Sequence, residues 1–341
     1  MPARRRATKA ATRAIFLLVS GVSLYLLLPS VLEVFTSWEQ LFDLRPLWVG
    51  VAVGFEAASF LSTWTLQRIA VGASSWLAIG MSQLAANALG RVLPGGMAVA
   101  GTLQYRMLGR TGAPKGRIVS GLTASSALQF GALVALPILA IPAVATGARV
   151  DEGLAQAAWL GASVFVLMLV AGLLVFVFDR PLELVGRVIG WVTSFGRSTT
   201  RASELPRRLL RERDLIRSAM GGRWKMALTA AVGKWLFDYL VLLAALSAVG
   251  AEPTPSLVLL AYVAGSLLGM IPLTPGGLGF VEAGLTGMLA LAGVGAGPAL
   301  VATLAYRLVS FWAPIPVGAA AYWLFRRRYS GREADSPPAP A

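Results

Sequence analysis

Glu56, Arg91, Lys234, Asp238, Glu282 and Arg307 stand inside long apolar stretches of this 341-residue chain. A charge at the middle of a bilayer costs at least about 2.5 kcal/mol, so such residues mark places where something is bound, relayed or recognised. Guanidinium and ammonium groups in that setting suit a phosphate or carboxylate, whereas carboxylates suit a proton or an amine. Lys234 and Asp238 are one helical turn apart and either neutralise one another or face a ligand together. Glu282 and Arg307 lie in neighbouring spans and either pair or face a cavity, and Glu56 has no obvious partner in sequence. Arg106 reads as a headgroup contact or as a base snorkelling to the interface.

Two backbone breaks lie close to these charges. Leu93-Pro94-Gly95-Gly96 follows Arg91, and Pro275-Gly276-Gly277-Leu278-Gly279 precedes Glu282. Unpaired backbone groups in hydrocarbon cost several kcal/mol each, so a break at membrane depth survives where protein buries it or water lines it. Glycines let a ligand approach the backbone, and the helix that resumes after each break offers free N–H groups to an anion. Pro-Gly-Gly as a plain tight turn is the alternative; its recurrence in both halves favours a cavity.

The elements that hold these residues are apolar helices. With 56% hydrophobic and 13% charged residues, the chain carries more apolar side chain than one soluble core buries, which predicts an all-α, polytopic membrane bundle. There is no Cys and no His, so thiolate chemistry, disulfides and the commonest metal ligand and general base are excluded. No cofactor is expected, and transport is favoured over catalysis. The net charge of +14 lies mainly in the connections, where topology and anionic lipid account for it without nucleic acid.

Residues 1–13 form a basic cytoplasmic N-terminus, and Ala14 to about Leu32 reads as an uncleaved first helix. Further full spans are expected at about Leu47–Gln67, Ile118–Ile141, Ala155–Phe178, Met226–Val249 and Pro298–Phe325. The basic connection 179–225 is cytoplasmic and carries either a solvated linker or an amphipathic helix on the inner leaflet, while 329–341 is a disordered cytoplasmic tail. Two broken segments remain, about Trp76–Tyr105 and Leu257–Ala292. Positive-inside placement has the first enter and leave on the cytoplasmic side and the second on the outer side. About six full spans plus two re-entrant helical hairpins in an inverted repeat is the expected architecture, with both termini in the cytoplasm of a multi-pass cell-membrane protein.

The run Pro272-Leu273-Thr274-Pro275-Gly276-Gly277-Leu278-Gly279-Phe280-Val281-Glu282, the earlier Leu93-Pro94-Gly95-Gly96 with Arg106, and Arg307 with Trp312 and Pro314 resemble the lysylphosphatidylglycerol synthase transmembrane region family, also called flippase-like domain proteins. The resemblance covers about Ala14 to Arg328. It implies an integral membrane bundle with inverted re-entrant elements and, in the aminoacyl-phosphatidylglycerol members, movement of the modified lipid between leaflets. Other members are associated with lipid-linked sugar or cell-envelope pathways. Arg91, Glu282 and Arg307 would then line the headgroup path. The two-part synthases also carry a soluble C-terminal domain that makes the aminoacyl lipid; only a short tail follows Arg328 here, so no lipid aminoacylation is expected of this chain.

The expected function is translocation of an anionic lipid or lipid-linked precursor, with membrane lipids as partners. Arg91, Pro94, Gly95, Gly96, Arg106, Lys234, Asp238, Pro275, Gly276, Gly277, Glu282 and Arg307 are the expected substrate-binding residues. An ion-coupled transporter of a small anionic solute and a membrane-embedded lipid-phosphate transferase are the alternatives. Glu282 or Asp238 could titrate to couple movement to protons, or could recognise a headgroup amine.

Overall fold

The computed structural model describes residues 44–73, 75–93, 96–140, 221–270 and 275–329, with isolated positions between 178 and 214. Regular structure among the described residues is entirely helical. Among the described residues, four helical stretches are long and apolar enough to cross a membrane: Pro46–Val71, Lys115–Leu139, Gly221–Ala248 and Ala296–Tyr329. They coincide with four of the spans read from hydropathy. The expected spans at 14–32 and 155–178, the proposed surface helix within 179–225 and the tail beyond Tyr329 lie outside the described residues, as do Pro94 and Gly95.

We number the helices in chain order: α1 (Pro46–Val71), α2 (Trp76–Val92), α3 (Gly96–Gly109), α4 (Lys115–Ala135), α5 (Trp224–Ala248), α6 (Pro255–Leu268), α7 (Phe280–Leu291), α8 (Ala296–Arg307) and α9 (Pro314–Tyr329). A π turn over Leu308–Trp312 joins α8 to α9. Both expected breaks are present, separating α2 from α3 and α6 from α7. The four arms have 17, 14, 14 and 12 residues. At 1.5 Å per residue none reaches the roughly 30 Å of a bilayer core, consistent with segments that turn back.

Glycine sets both turns. In the first, Gly90 and Gly96 stack so closely that a Cβ on either would strike the other's backbone. In the second, Gly276, Gly277 and Gly279 all adopt positive φ, at 60°, 72° and 77°, a region that costs other L-residues about 1–2 kcal/mol. α6 and α7 then run antiparallel, since Gly265 faces Leu285, Gly269 faces Val281 and Gly284 faces Leu268. Small residues at such crossings let helices approach where no hydrophobic effect drives them together.

The described residues fall into two compact units. One draws on Met1–Ala57, Gly80–Gly112 and Phe237–Ala341, the other on Ala58–Ile79 and Ala113–Leu236. In the second unit Gly121 lets α4 lie against the backbone of Ala70 and Val71. There the Trp235 indole donates to the Gln129 carbonyl at 2.7 Å, and the Ser59 hydroxyl donates to the Lys234 carbonyl at 3.0 Å. The first unit contains both helix breaks.

Polarity is distributed as a bilayer requires. Along α1 the buried polar residues Glu56, Ser59, Thr63 and Gln67 recur every three or four positions and form one interior face. Leu47, Val53 and Leu61 on the same helix are half-exposed or more, as are Leu139, Leu291 and Trp323 elsewhere. Apolar residues outside and polar residues inside is the arrangement of a protein whose surroundings are lipid.

Candidate functional site

The site grows from a defect in the last long helix. Pro314 has no N–H, so the carbonyl of Ser310, four residues earlier, loses its α-helical donor. The chain responds with a π turn in which Ala313 N–H bonds to Leu308 O at 2.9 Å. Arg91, at the end of α2, supplies what is missing: its Nη1 donates to the carbonyls of Ser310 and Phe311.

Arg307 does the same for the second break. Its Nη2 donates to Gly276 O at 3.0 Å, while its Nε meets Glu282 Oε1 at 2.6 Å. That ion pair is almost fully enclosed, with the side chains 9% and 7% exposed. Glu282 lies in the first turn of α7, where the helix dipole favours a negative charge. Its second oxygen, Oε2, is buried without a hydrogen-bond partner among the described residues.

Phe311 ties the two breaks together. The guanidinium carbons of Arg307 and Arg91 lie 4.1 and 5.1 Å from its ring centre. Gly276 packs beneath that ring so tightly that a Cβ would collide with it, and the same Cβ would stand 3.2 Å from Arg91 O. The Pro-Gly-Gly glycine of one hairpin thus abuts the charged end of the other.

A second group of polar residues adjoins the arginines. Asp238 Oδ2 accepts a 2.6 Å hydrogen bond from the Tyr262 hydroxyl and a 3.3 Å one from Tyr306. The rings of Tyr262 and Tyr306 meet edge to face. Glu56, Asp238 and Arg307 all lie within electrostatic reach of Arg91. Each guanidinium has five N–H donors. Arg91 uses only Nη1, and Arg307 uses Nε and Nη2, so donors of both remain unengaged among the described residues.

Of the residues singled out from sequence, Arg91, Asp238, Gly276, Glu282 and Arg307 come together here, with Glu56 of α1 within electrostatic reach of Arg91. Gly96 and Gly277 shape the turns, and Pro275 opens the second one. Arg106 is exposed in the last turn of α3 and takes no part. Lys234 belongs to the other unit, with its ammonium 3.1 Å from the centre of the Trp235 ring. Asp238 is held by tyrosines on α6 and α8. Tyr262, Tyr306, Ser310 and Phe311 escaped sequence reasoning. A tyrosine hydroxyl within an apolar helix must find a partner, and Pro314 near a carbonyl-rich turn must leave an acceptor open; either signal could have flagged them.

The sequence model of the family described as Lysylphosphatidylglycerol synthase TM region matches residues 14–318. Two UPF0104 membrane proteins of Methanothermobacter thermautotrophicus are also similar, one 35% identical over 95 residues and the other 31% identical over 101. The chain matches only 27% and 30% of those relatives' own lengths, and the same shares of itself are covered.

Proposed function

The chain belongs to the lysylphosphatidylglycerol synthase transmembrane region family, and on that premise we propose that it is a translocase moving an anionic lipid, or a lipid-linked precursor, between the leaflets of the cell membrane. The observation that carries this reading is the meeting of Arg91 and Arg307 on Phe311, at the point where two interrupted helical hairpins touch. Two guanidinium groups with donors to spare, held at helix breaks, suit the phosphate of a lipid headgroup. Acyl or prenyl chains would stay in the surrounding lipid, against the exposed leucines and valines of the helices.

Rigid placement is what the backbone bonds of the two arginines provide. Arg91 is fixed to the π turn and Arg307 to the Gly276 carbonyl, so a headgroup would meet oriented donors. Hairpins opening on opposite faces, with both termini in the cytoplasm, would expose the site to each leaflet in turn. The lipid would be moved without chemical change.

Reconstitution in liposomes with fluorescent phosphatidylglycerol and a fluorescent polyprenyl phosphate is the test. The wild-type chain should accelerate transbilayer movement of at least one of them over protein-free vesicles. No acceleration of either lipid, with or without a proton gradient, counts against a translocase.

A further inference from the structure

We propose that the link after α1, together with the start of α4, binds the headgroup phosphate of an anionic phospholipid of the cytoplasmic leaflet, at a site separate from the arginine pair. The site lies within the second compact unit and does not depend on the translocase reading.

Its centre is Gly72. There α1 closes, with Gly72 N–H donating to Arg68 O at 3.0 Å and Gly72 at a φ of 67°. Gly121 holds α4 against Ala70 and Val71, which positions Arg117 of its first turn. The Arg117 guanidinium lies so close over Gly72 that a Cβ would strike Nη2. The link ends at Trp76, and the Arg68 guanidinium carbon stands 4.9 Å from the centre of the Trp76 ring. Two guanidinium groups thus flank one short link.

Both keep donors to give. The negative end of the α1 dipole draws them, yet neither has a hydrogen bond or an ion pair among the described residues. Arg68 Nε is buried without an acceptor, an arrangement that is costly until an oxygen meets it. No Asp or Glu occurs within 58–79, 113–140 or 221–236, so those stretches of the unit offer no carboxylate. Lys115 and Arg117 also occupy the first turn of α4, which has no acidic residue and no side-chain cap. Bases there oppose the helix dipole, and a bound anion offsets both.

Topology alone asks for less. The positive-inside rule requires bases near the inner end of a span, and snorkelling carries their heads into water. Arg68 instead lies on an aromatic face with its Nε enclosed. Trp76 and the adjoining Leu77 are 41% and 50% exposed, an apolar surface on which the acyl chains of a lipid can lie and for which a free phosphate has no use. A tryptophan at headgroup depth fits that placement.

Native mass spectrometry of the delipidated full chain in detergent, with phosphatidylglycerol or phosphatidylcholine added back, is the test. Phosphatidylglycerol should bind more tightly than phosphatidylcholine, and Arg68→Gln and Arg117→Gln should each weaken a tight phosphatidylglycerol site about tenfold, the loss of one charge-assisted hydrogen bond. Arg91→Gln, which alters the arginine pair, and Arg106→Gln, which removes an exposed base elsewhere, should leave that site intact. Where one of the two link variants does not fold, the other decides. Equal retention of the two lipids, equal weakening by Arg106→Gln, or loss of tight binding through Arg91→Gln alone overturns the proposal. Displacement of the lipid by millimolar glycerol 3-phosphate would make this a site for soluble phosphates and overturn the lipid assignment.

Discussion

Arg91 donates to the main-chain oxygen of Ser310, a carbonyl orphaned because Pro314 has no N–H to offer it. A kink in the last long helix is thereby made into a fixture for a guanidinium brought from the first hairpin. Pro314→Ala should return a donor to Ser310, relax the π turn toward α-helix and release Arg91. Thermal unfolding in detergent should show stability held or raised, while lipid movement falls. Unchanged transport in a well-folded Pro314→Ala protein would mean that the fixture is dispensable.

The Glu282–Arg307 pair is buried, so removing one partner strands the other. Glu282→Ala or Arg307→Ala should lower stability by about 3–5 kcal/mol and abolish lipid movement. Replacing both with apolar residues should recover much of the stability and none of the transport. Denaturation of the single and double variants, set beside their flux, separates the two roles. Arg307→Lys should behave like a loss, because one ammonium cannot reproduce the fixed fork that reaches both Glu282 and Gly276.

Gly276 is constrained twice, by a φ of 60° and by the Phe311 ring. Gly276→Ala should cost at least about 1–2 kcal/mol from backbone conformation alone, with the ring collision added. Gly287, on the neighbouring helix, has open space where a Cβ would stand and no positive φ, so Gly287→Ala should be neutral or slightly stabilising. Comparing melting temperatures of the two alanine variants tests the local geometry directly.

Gly318 on α9 meets Leu84 O and the Ala88 side chain on α2 at a distance that leaves no room for a Cβ. Gly318→Leu should separate the two helices and carry Arg91 away from the π turn. Both stability and transport should fall, and a spin-label distance between α2 and α9 should lengthen. An unchanged distance would contradict the packing described for these helices.

Much of this was legible in the sequence because membrane insertion leaves coarse marks. Hydropathy located the four described spans, and Pro-Gly-Gly located both turns. Glu282 and Arg307, on adjoining spans, read either as a pair or as two groups facing a cavity, and the structure pairs them. That Glu56 would come within electrostatic reach of Arg91 could not be read, since they lie on different helices and their approach depends on packing. Asp238 has Lys234 one turn away on its own helix, yet Tyr262 and Tyr306 hold its Oδ2. Periodicity along one helix says nothing of hydroxyls contributed by others.

Transbilayer movement of fluorescent phosphatidylglycerol and of a fluorescent polyprenyl phosphate in proteoliposomes, with wild-type, Arg91→Gln and Arg307→Gln proteins inserted at equal density, tests the central claim most directly. The wild type should move at least one of these anionic lipids well above protein-free vesicles, and each glutamine variant should fall to the background rate. Equal rates in all three proteins, or no movement of either lipid by the wild type, would contradict it.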